Sequence, residues 1–377
     1  MIAGDLVVKN RSQLLIQEEK FGDLLADVKS VNAAYDYRVL NLETPIVTGS
    51  AEKIEKVGPY MRCDEKVADY LRYGLFDGVT LANNHIRDYG DQGVSDTLRV
   101  LDEKGIDHVG GGRDIEEASR VMYKEIGGER LAIINCTENE FSIATKSSGG
   151  ANPLNPIQQY YAIREARAKA DYVVVITHGG IEKYELPTPR MKETFRFFVD
   201  AGADVVVNHH QHCYSGYEVY KEKPIFYGLG NFCFDLPHYR NCEWNRGFMV
   251  GLVLDKGSVS FETFPYIQSD EKPGVVMLDK KGKEDFEKDI KRINTVIADD
   301  KALEEARMKL VRKSSGYYSI LLTPYSGKWT KGLCAKGFLP IYYPRKKWVE
   351  LLNKMRCESH RDNFISFINE KLSDGNL

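Results

Sequence analysis

Apolar runs that stop abruptly on polar side chains recur along the chain, with amphipathic stretches between them. Residues 1–5 end a short strand on Gly4-Asp5, and Leu6 to Val8 stay apolar. Residues 37–43, 78–82, 130–136, 172–178 and 205–212 have the aliphatic, largely β-branched character of buried strands. Helical spacing appears between them: Leu24, Leu25, Val28 and Val31 within 21–34, and Val94, Leu98 and Leu101 within 93–104. Residues 65–73, 157–170 and 190–201 also read as helices, and Gly105 and Gly202 sit where helices end. A short strand is expected at His108-Val109, with His108 in a structural role, and a loop over 147–156. Residues 224–232 read as one strand with a glycine-bearing end, and 248–266 as an antiparallel hairpin turning at Asp255-Lys256-Gly257.

Strands alternating with helices predict an α/β fold, in which ligands collect at the carboxyl ends of the strands. From about residue 269 the pattern changes to charged amphipathic helices, expected over 284–298, 302–311, 348–355 and 364–372. Residues 1–268 are therefore expected to form the main domain and 269–377 a mainly helical extension.

The tips of the apolar runs share one chemistry. Asp5, Glu43, Asn84, His85, His178, His210 and His212 all lie just past strands, and Asn41 shares a side with Glu43. Histidines two apart on an extended segment, such as His210 and His212, point the same way. Five of the eight histidines (85, 178, 209, 210 and 212) fall at these tips, which a chance scatter explains poorly. Carboxylates mixed with an amide and imidazoles suit Mn²⁺, Fe or Zn²⁺, whereas Ca²⁺ takes oxygen alone and structural zinc favours thiolates. Asp88, beside Tyr89-Gly90, reads as a turn residue. Cys213 reads as packed, and Arg345-Lys346-Lys347 as a solvated helix start.

Composition narrows the class. A net charge of −3 gives no electrostatic reason to expect nucleic acid. The seven cysteines are odd in number and lack C-x-x-C spacing, which predicts reduced thiols and a cytoplasmic setting. No apolar run approaches the length of a transmembrane helix, so no intrinsic membrane segment is expected.

Taken together, Gly4-Asp5, Asn41-Leu42-Glu43, Leu81-Ala82-Asn83-Asn84-His85 with Asp88-Tyr89-Gly90, His178-Gly179-Gly180 with Glu182, residues 202–212, and Gly228-Leu229-Gly230-Asn231-Phe232 resemble a known pattern. It is that of the CapA-like proteins, named for poly-γ-glutamate capsule synthesis, within the calcineurin-like metallophosphoesterase superfamily. The resemblance runs from residue 1 to about 268. It implies a metallophosphoesterase-like four-layer αββα sandwich carrying two divalent metal ions. Carried over residue by residue, it implies that Asp5 and His212 hold one ion, that Asn84, His178 and His210 hold the other, and that Glu43 bridges them. His85 takes the place of the histidine that acts on the leaving group. His209, Asn231 and Asn41 become supporting or substrate groups, and Glu182 either orients His178 or contacts substrate. The chain departs from the pattern twice: Val7 stands where a ligating histidine is usual, and Gly179 where tryptophan is frequent.

Three functions stay open on these residues. One is a hydrolase acting on a phosphoester, or on an acidic polymer, in capsule biosynthesis. The second is a metal-dependent amide hydrolase or epimerase on a glutamyl or peptide substrate. The third is a non-catalytic component that works with capsule-synthesis partners.

Overall fold

A computed structural model of the chain describes residues 1–314, 327–339 and 345–356, together with Ile365 and Ile368. The first layers come from β1 (Ile2–Val7), α1 (Asn10–Gln17), α2 (Gly22–Asn32), β2 (Val39–Leu42), α3 (Lys66–Tyr73), β3 (Gly78–Thr80), α4 (Gly90–Glu103) and β4 (Asp107–Val109). Strands β1 to β4 run parallel and side by side. Leu24, Leu25 and Val28 of α2, Val67 and Leu71 of α3, and Val94, Leu98 and Leu101 of α4 are buried in one core with Leu40, Leu42 and Val79. The helical spacing read from sequence is thus the face these helices bury. His108 bonds through Nε2 to Asp102 Oδ1 at 2.9 Å.

After a small turn region with β5 (Gly111–Gly112) and α5 (Ile115–Ala118), the chain builds a second sheet. Its members begin with β6 (Met122–Ile126) and β7 (Glu129–Thr137). The two-residue β8 (Gly150–Ala151) pairs back onto β5. Then follow α6 (Pro156–Arg167), β9 (Tyr172–His178), α7 (Pro189–Ala201) and β10 (Val205–His209). Asn155 and Thr188 cap α6 and α7 from their side chains, with proline in the next position of each. Strands β7, β9 and β10 are parallel, and the register sets Thr137, His178 and His209 level with one another. β11 (Tyr217–Tyr220) and β12 (Lys223–Phe226) close that sheet, in the order β11-β12-β10-β9-β7-β6.

The strand expected over 224–232 is two strands in two sheets. β12 pairs with β10, whereas β13 (Asn231–Phe234) pairs parallel to β1 with Asn231 level with Asp5. Residues 227–230 carry the chain across. Gly230 has φ 77°, and a Cβ there would lie 2.6 Å from the Arg246 carbonyl. The chain then makes the long hairpin β14 (Arg246–Asp255) and β15 (Ser258–Gln268), and β16 (Val275–Met277) completes the first sheet in the order β16-β15-β14-β1-β2-β3-β4.

The two sheets face each other. Phe226 of the second packs edge-on against Phe261 of the first, with ring centres 5.0 Å apart, and Asn135 Oδ1 of β7 accepts the Leu81 and Ala82 amides beyond β3. With α2, α3 and α4 outside one sheet and α6 and α7 outside the other, the architecture is the four-layer αββα sandwich. The strands β6, β11 and β16 and helix α1 are too short to stand out in the sequence.

Two compact units divide the chain, Met1–Glu305 and Ala306–Leu377. In the first, α8 (Lys280–Ala298) buries Phe286, Ile290, Ile293 and Ile297, the face expected of it. The helices expected over 302–311 and 348–355 lie within Asp300–Lys313 and Arg345–Arg356. The one expected over 364–372 falls on residues of which only Ile365 and Ile368 are described, both helical. Six cysteines are described and all are free thiols. No helix among the described residues is long and apolar enough to cross a membrane.

One steric constraint governs how closely the chain before β13 approaches β1. A Cβ on Gly4 would lie 2.0 Å from the Gly230 carbonyl oxygen, which itself accepts the Asp5 amide at 3.2 Å. Gly4→Ala is expected to destabilise the fold by about 1–3 kcal/mol, the range for overpacking. A melting temperature unchanged from the wild type would show that β1 and β13 can part without cost.

Candidate metal centre

Every strand tip singled out in the sequence reaches the same edge of the sandwich. Asp5 comes from β1, Glu43 from just past β2, Asn84 and His85 from the turn after β3, His178 from β9, and His210 and His212 from the turn after β10. All of them are buried, Glu43 completely. Two groups have ligand atoms within 4.8 Å of one another: Glu43 with His178 and His210, and Asp5 with Glu43 and His212. Glu43 belongs to both.

Distances within the first group resemble those of a coordination shell. His178 Nε2 lies 3.0 Å from His210 Nδ1, 3.1 Å from Asn84 Oδ1 and 3.5 Å from Glu43 Oε1. An ion that holds such donors at about 2.1 Å sets neighbouring donors roughly 3.0–3.4 Å apart. In the second group, His212 Nε2 is 3.8 Å from Glu43 Oε1. Asn231 Oδ1, 2.9 Å from His212 Nδ1, accepts the ring proton and leaves Nε2 free as a donor to metal. Asn41 Nδ2 donates to Asp5 Oδ1 at 2.7 Å and lies 3.3 Å from His178 Nδ1. Both asparagines therefore orient residues of the two groups.

The unpartnered atoms argue for the same chemistry. Glu43 Oε1 and Oε2, fully enclosed, have no hydrogen-bond partner among the described residues. An ionised carboxylate in that state is costly unless cations compensate it. Burial, then the neighbouring Asp5 charge, hold the Glu43 carboxyl well above its ordinary range. Burial also pushes Asp5 up to about 7 against the opposing bonds from Asn41 and the His210 amide. The imidazoles move the other way: burial lowers His178 and His212 well below the usual range, His209 to about 3 and His210 to about 4. Neutral imidazoles are the form that ligates. The residues fit a pair of divalent cations.

His209 stands apart from both groups. Its Nδ1 is 3.5 Å from Asp5 Oδ1, and neither ring nitrogen has a hydrogen-bond partner among the described residues. Glu182 is exposed and is not among the ring neighbours of His178, which are Asn41, Asn84, His210, Asp5 and Glu43. Val7 fills the place of the missing histidine with a small apolar cluster of Met61, Phe234 and Trp244. Beside Gly179, where a Cβ would lie 2.6 Å from Glu138 Cγ, the Glu138 side chain forms the wall.

Asp88 does more than hold a turn. It is fully buried, and its Oδ2 lies 2.7 Å from His85 Nδ1 and accepts the Met61 amide at 2.7 Å. Lys56, also buried, pairs with Asp88 Oδ1 and comes within 3.2 Å of His85 Nδ1. Sequence spacing offered half of this: histidine and aspartate three residues apart can meet in a tight turn. Lys56 arrives from an irregular segment that carries no signal. The backbone is also strained here, with φ 94° at His210 and 56° at His212, conformations that non-glycine residues adopt at a cost and that cluster at functional sites.

An αββα sandwich with two groups of candidate ligands sharing one carboxylate at its strand edge has the fold of the metallophosphoesterase-like class. The family model for the bacterial capsule synthesis protein PGA_cap matches residues 1–236, and the chain belongs to that family. It is 35% identical over 259 residues to the capsule biosynthesis protein CapA of Bacillus anthracis, across 65% of this chain and 62% of that protein. It is 31% identical over 235 residues to the PGA biosynthesis protein CapA of Bacillus subtilis strain 168, across 62% of each. The match thus spans less than two thirds of these relatives. A phosphatase structure from Mycoplasma pneumoniae superposes with a TM-score of 0.45 at 14% identity over 72% of this chain and 93% of that chain, a looser likeness.

Cation uptake is expected to release protons from carboxyls and not from imidazoles. At pH 6 a carboxyl titrating near 7 still holds its proton while the histidines are already neutral, so loading expels the carboxyl proton. Between pH 6 and pH 8 the release should fall by about one proton as Asp5 ionises unaided. Calorimetry of Mn²⁺ binding in buffers of different ionisation enthalpy measures this, and a release independent of pH would contradict the assignment.

Proposed function

We propose that the chain is a metal-dependent hydrolase of phosphoesterase type, acting in the synthesis of an anionic, poly-γ-glutamate-like surface polymer. The observation that carries the reading is Glu43, a fully buried carboxylate with both oxygens unpartnered among the described residues, shared by two ligand groups. Family membership and the capsule-biosynthesis names of its relatives support the capsule context. In this reading Asp5, Glu43 and His212 hold one cation, and Glu43, Asn84, His178 and His210 the other. When bound, two such ions supply Lewis acidity at a phosphoryl oxygen and lower the pKa of water.

The chain's own groups do the rest. Asp88 engages His85 Nδ1, which leaves Nε2 to give a proton to the leaving group. Lys56 fixes Asp88 from its other side. A cavity of about 520 Å³ opens beside His212, bordered by Lys183, Tyr239, Trp244, Arg246 and Arg292. Asp289 and Arg292 reach it from α8, so the segment beyond 268 contributes wall and no ligands. Lys183 Nζ donates to the Tyr239 hydroxyl, lies 5.8 Å from the Trp244 ring centre, and makes no ion pair among the described residues. An ammonium placed this way suits a substrate carboxylate or phosphate outside the reacting group.

His85→Ala should keep its metal and lose about 100-fold or more in kcat on bis(p-nitrophenyl) phosphate. Elemental analysis beside the rate assay checks both halves, and a variant that sheds its metal or keeps full activity would remove His85 from this role.

Lys183→Met should raise KM for γ-glutamyl oligomers about tenfold, with kcat on the small phosphodiester unchanged; a tenfold change corresponds to about 1.4 kcal/mol of binding. Equal KM values for variant and wild type on the oligomer would reject an anion subsite there.

A further inference from the structure

The segment that follows β7 supplies none of the proposed ligands, yet it grips several of them. Thr137 Oγ1 and the Glu138 amide both donate to the His178 carbonyl at 3.0 Å. Ser142 Oγ donates to the Asn84 carbonyl at 2.6 Å. Between them stands Glu140, exposed at the rim of the site, with Oε1 3.8 Å from His210 Nε2. The same carboxylate faces the Asn84 side-chain amide.

We propose that Glu140 is a positioning residue for the cation held by Asn84, His178 and His210, setting which atoms two of these ligands present. The argument is chemical and rests on the metal-centre reading above. An amide is nearly symmetrical, and only its oxygen can ligate. A carboxylate beside the Asn84 amide favours the nitrogen on its own side and keeps Oδ1 turned toward His178 Nε2, where it is observed at 3.1 Å. His210 faces a similar choice between its two nitrogens. Its Nδ1 is the atom 3.0 Å from His178 Nε2, so ligation requires the proton on Nε2, the nitrogen that faces Glu140. A carboxylate behind a ligating imidazole fixes the tautomer and strengthens the donor. One side chain thus settles the orientation of two ligands from different sheets.

The test uses the full chain as wild type, Glu140→Ala and Glu140→Gln, loaded with Mn²⁺ or Co²⁺. Chelator competition gives the affinity of each ion, and the Co²⁺ absorption spectrum reports its surroundings. Glu140→Ala should weaken one ion about 10–100-fold and alter its spectrum, while the other ion stays as in the wild type. Glu140→Gln, which keeps one acceptor oxygen but can serve only one partner with it, should fall between. Unchanged affinities in both variants, or equal weakening of both ions, would overturn the proposal. If Glu140→Ala does not fold, Glu140→Gln decides alone: selective weakening supports the role and wild-type affinity ends it. If the wild type takes up no ion, the metal-centre reading itself fails, an outcome separate from a wild type that binds two ions and a variant that does the same.

Discussion

The buried carboxylate of Glu43 is the constraint on which the rest of the structure turns. Moving an ionised carboxylate out of water costs several kcal/mol unless charge or hydrogen bonds offset it, and none of the described residues bonds either oxygen. Asp5, His178 and His212 surround it at distances set by four strands of two sheets, all brought to one edge. The electrostatics follow from this enclosure. Burial raises the two carboxyls and lowers the imidazoles, which leaves neutral nitrogen donors beside acids whose charged form cations would stabilise.

Much of that arrangement was legible in the sequence, because parallel strands place their carboxyl ends together and the apolar runs advertise their ends. The run 172–178 is seven buried residues closing on histidine, and the tip of β10 carries three more. Val7 was readable as a departure, and the structure shows what replaces the usual histidine: an apolar cluster against which His212 lies, its ring centre 4.8 Å from that of Trp244. The crossing from β12 to β13 was not legible. A glycine-bearing continuation of an apolar run looks the same whether it stays in one sheet or passes to the next. Only the collision of any Cβ at Gly4 with Gly230 tells them apart.

Partners that arrive from irregular segments were hidden for a related reason. Lys56 lies in a stretch without periodicity, and its contact with Asp88 depends on how residues 49–62 drape over the turn after β3. Glu140 follows a tip that the sequence does mark. β7 ends in Thr137-Glu138-Asn139-Glu140, the same polar strand end that marked the other tips, but without a histidine to draw attention. A search for ligands alone misses the groups that aim them, although ligand-orienting carboxylates are a regular part of such sites.

The division of ligands between the sheets links the chemistry to the fold. Asp5, Glu43 and Asn84 come from the first sheet, and His178, His210 and His212 from the second. Each proposed position draws on both, so either cation would tie the two sheets together at the edge where their strands end. Elsewhere apolar packing also joins the sheets, as where Phe226 meets Phe248 and Phe261. At the site edge the packed groups are polar, and the positive φ at His210 and His212 strains the backbone that delivers two of the donors. Such strain persists only where surrounding structure holds it. Asp5 Oδ2 on the His210 amide and Asn231 on the His212 ring and carbonyl provide that hold from the opposite sheet. The geometry that would receive the ions is therefore maintained by the same sheet-to-sheet bonds that close the sandwich.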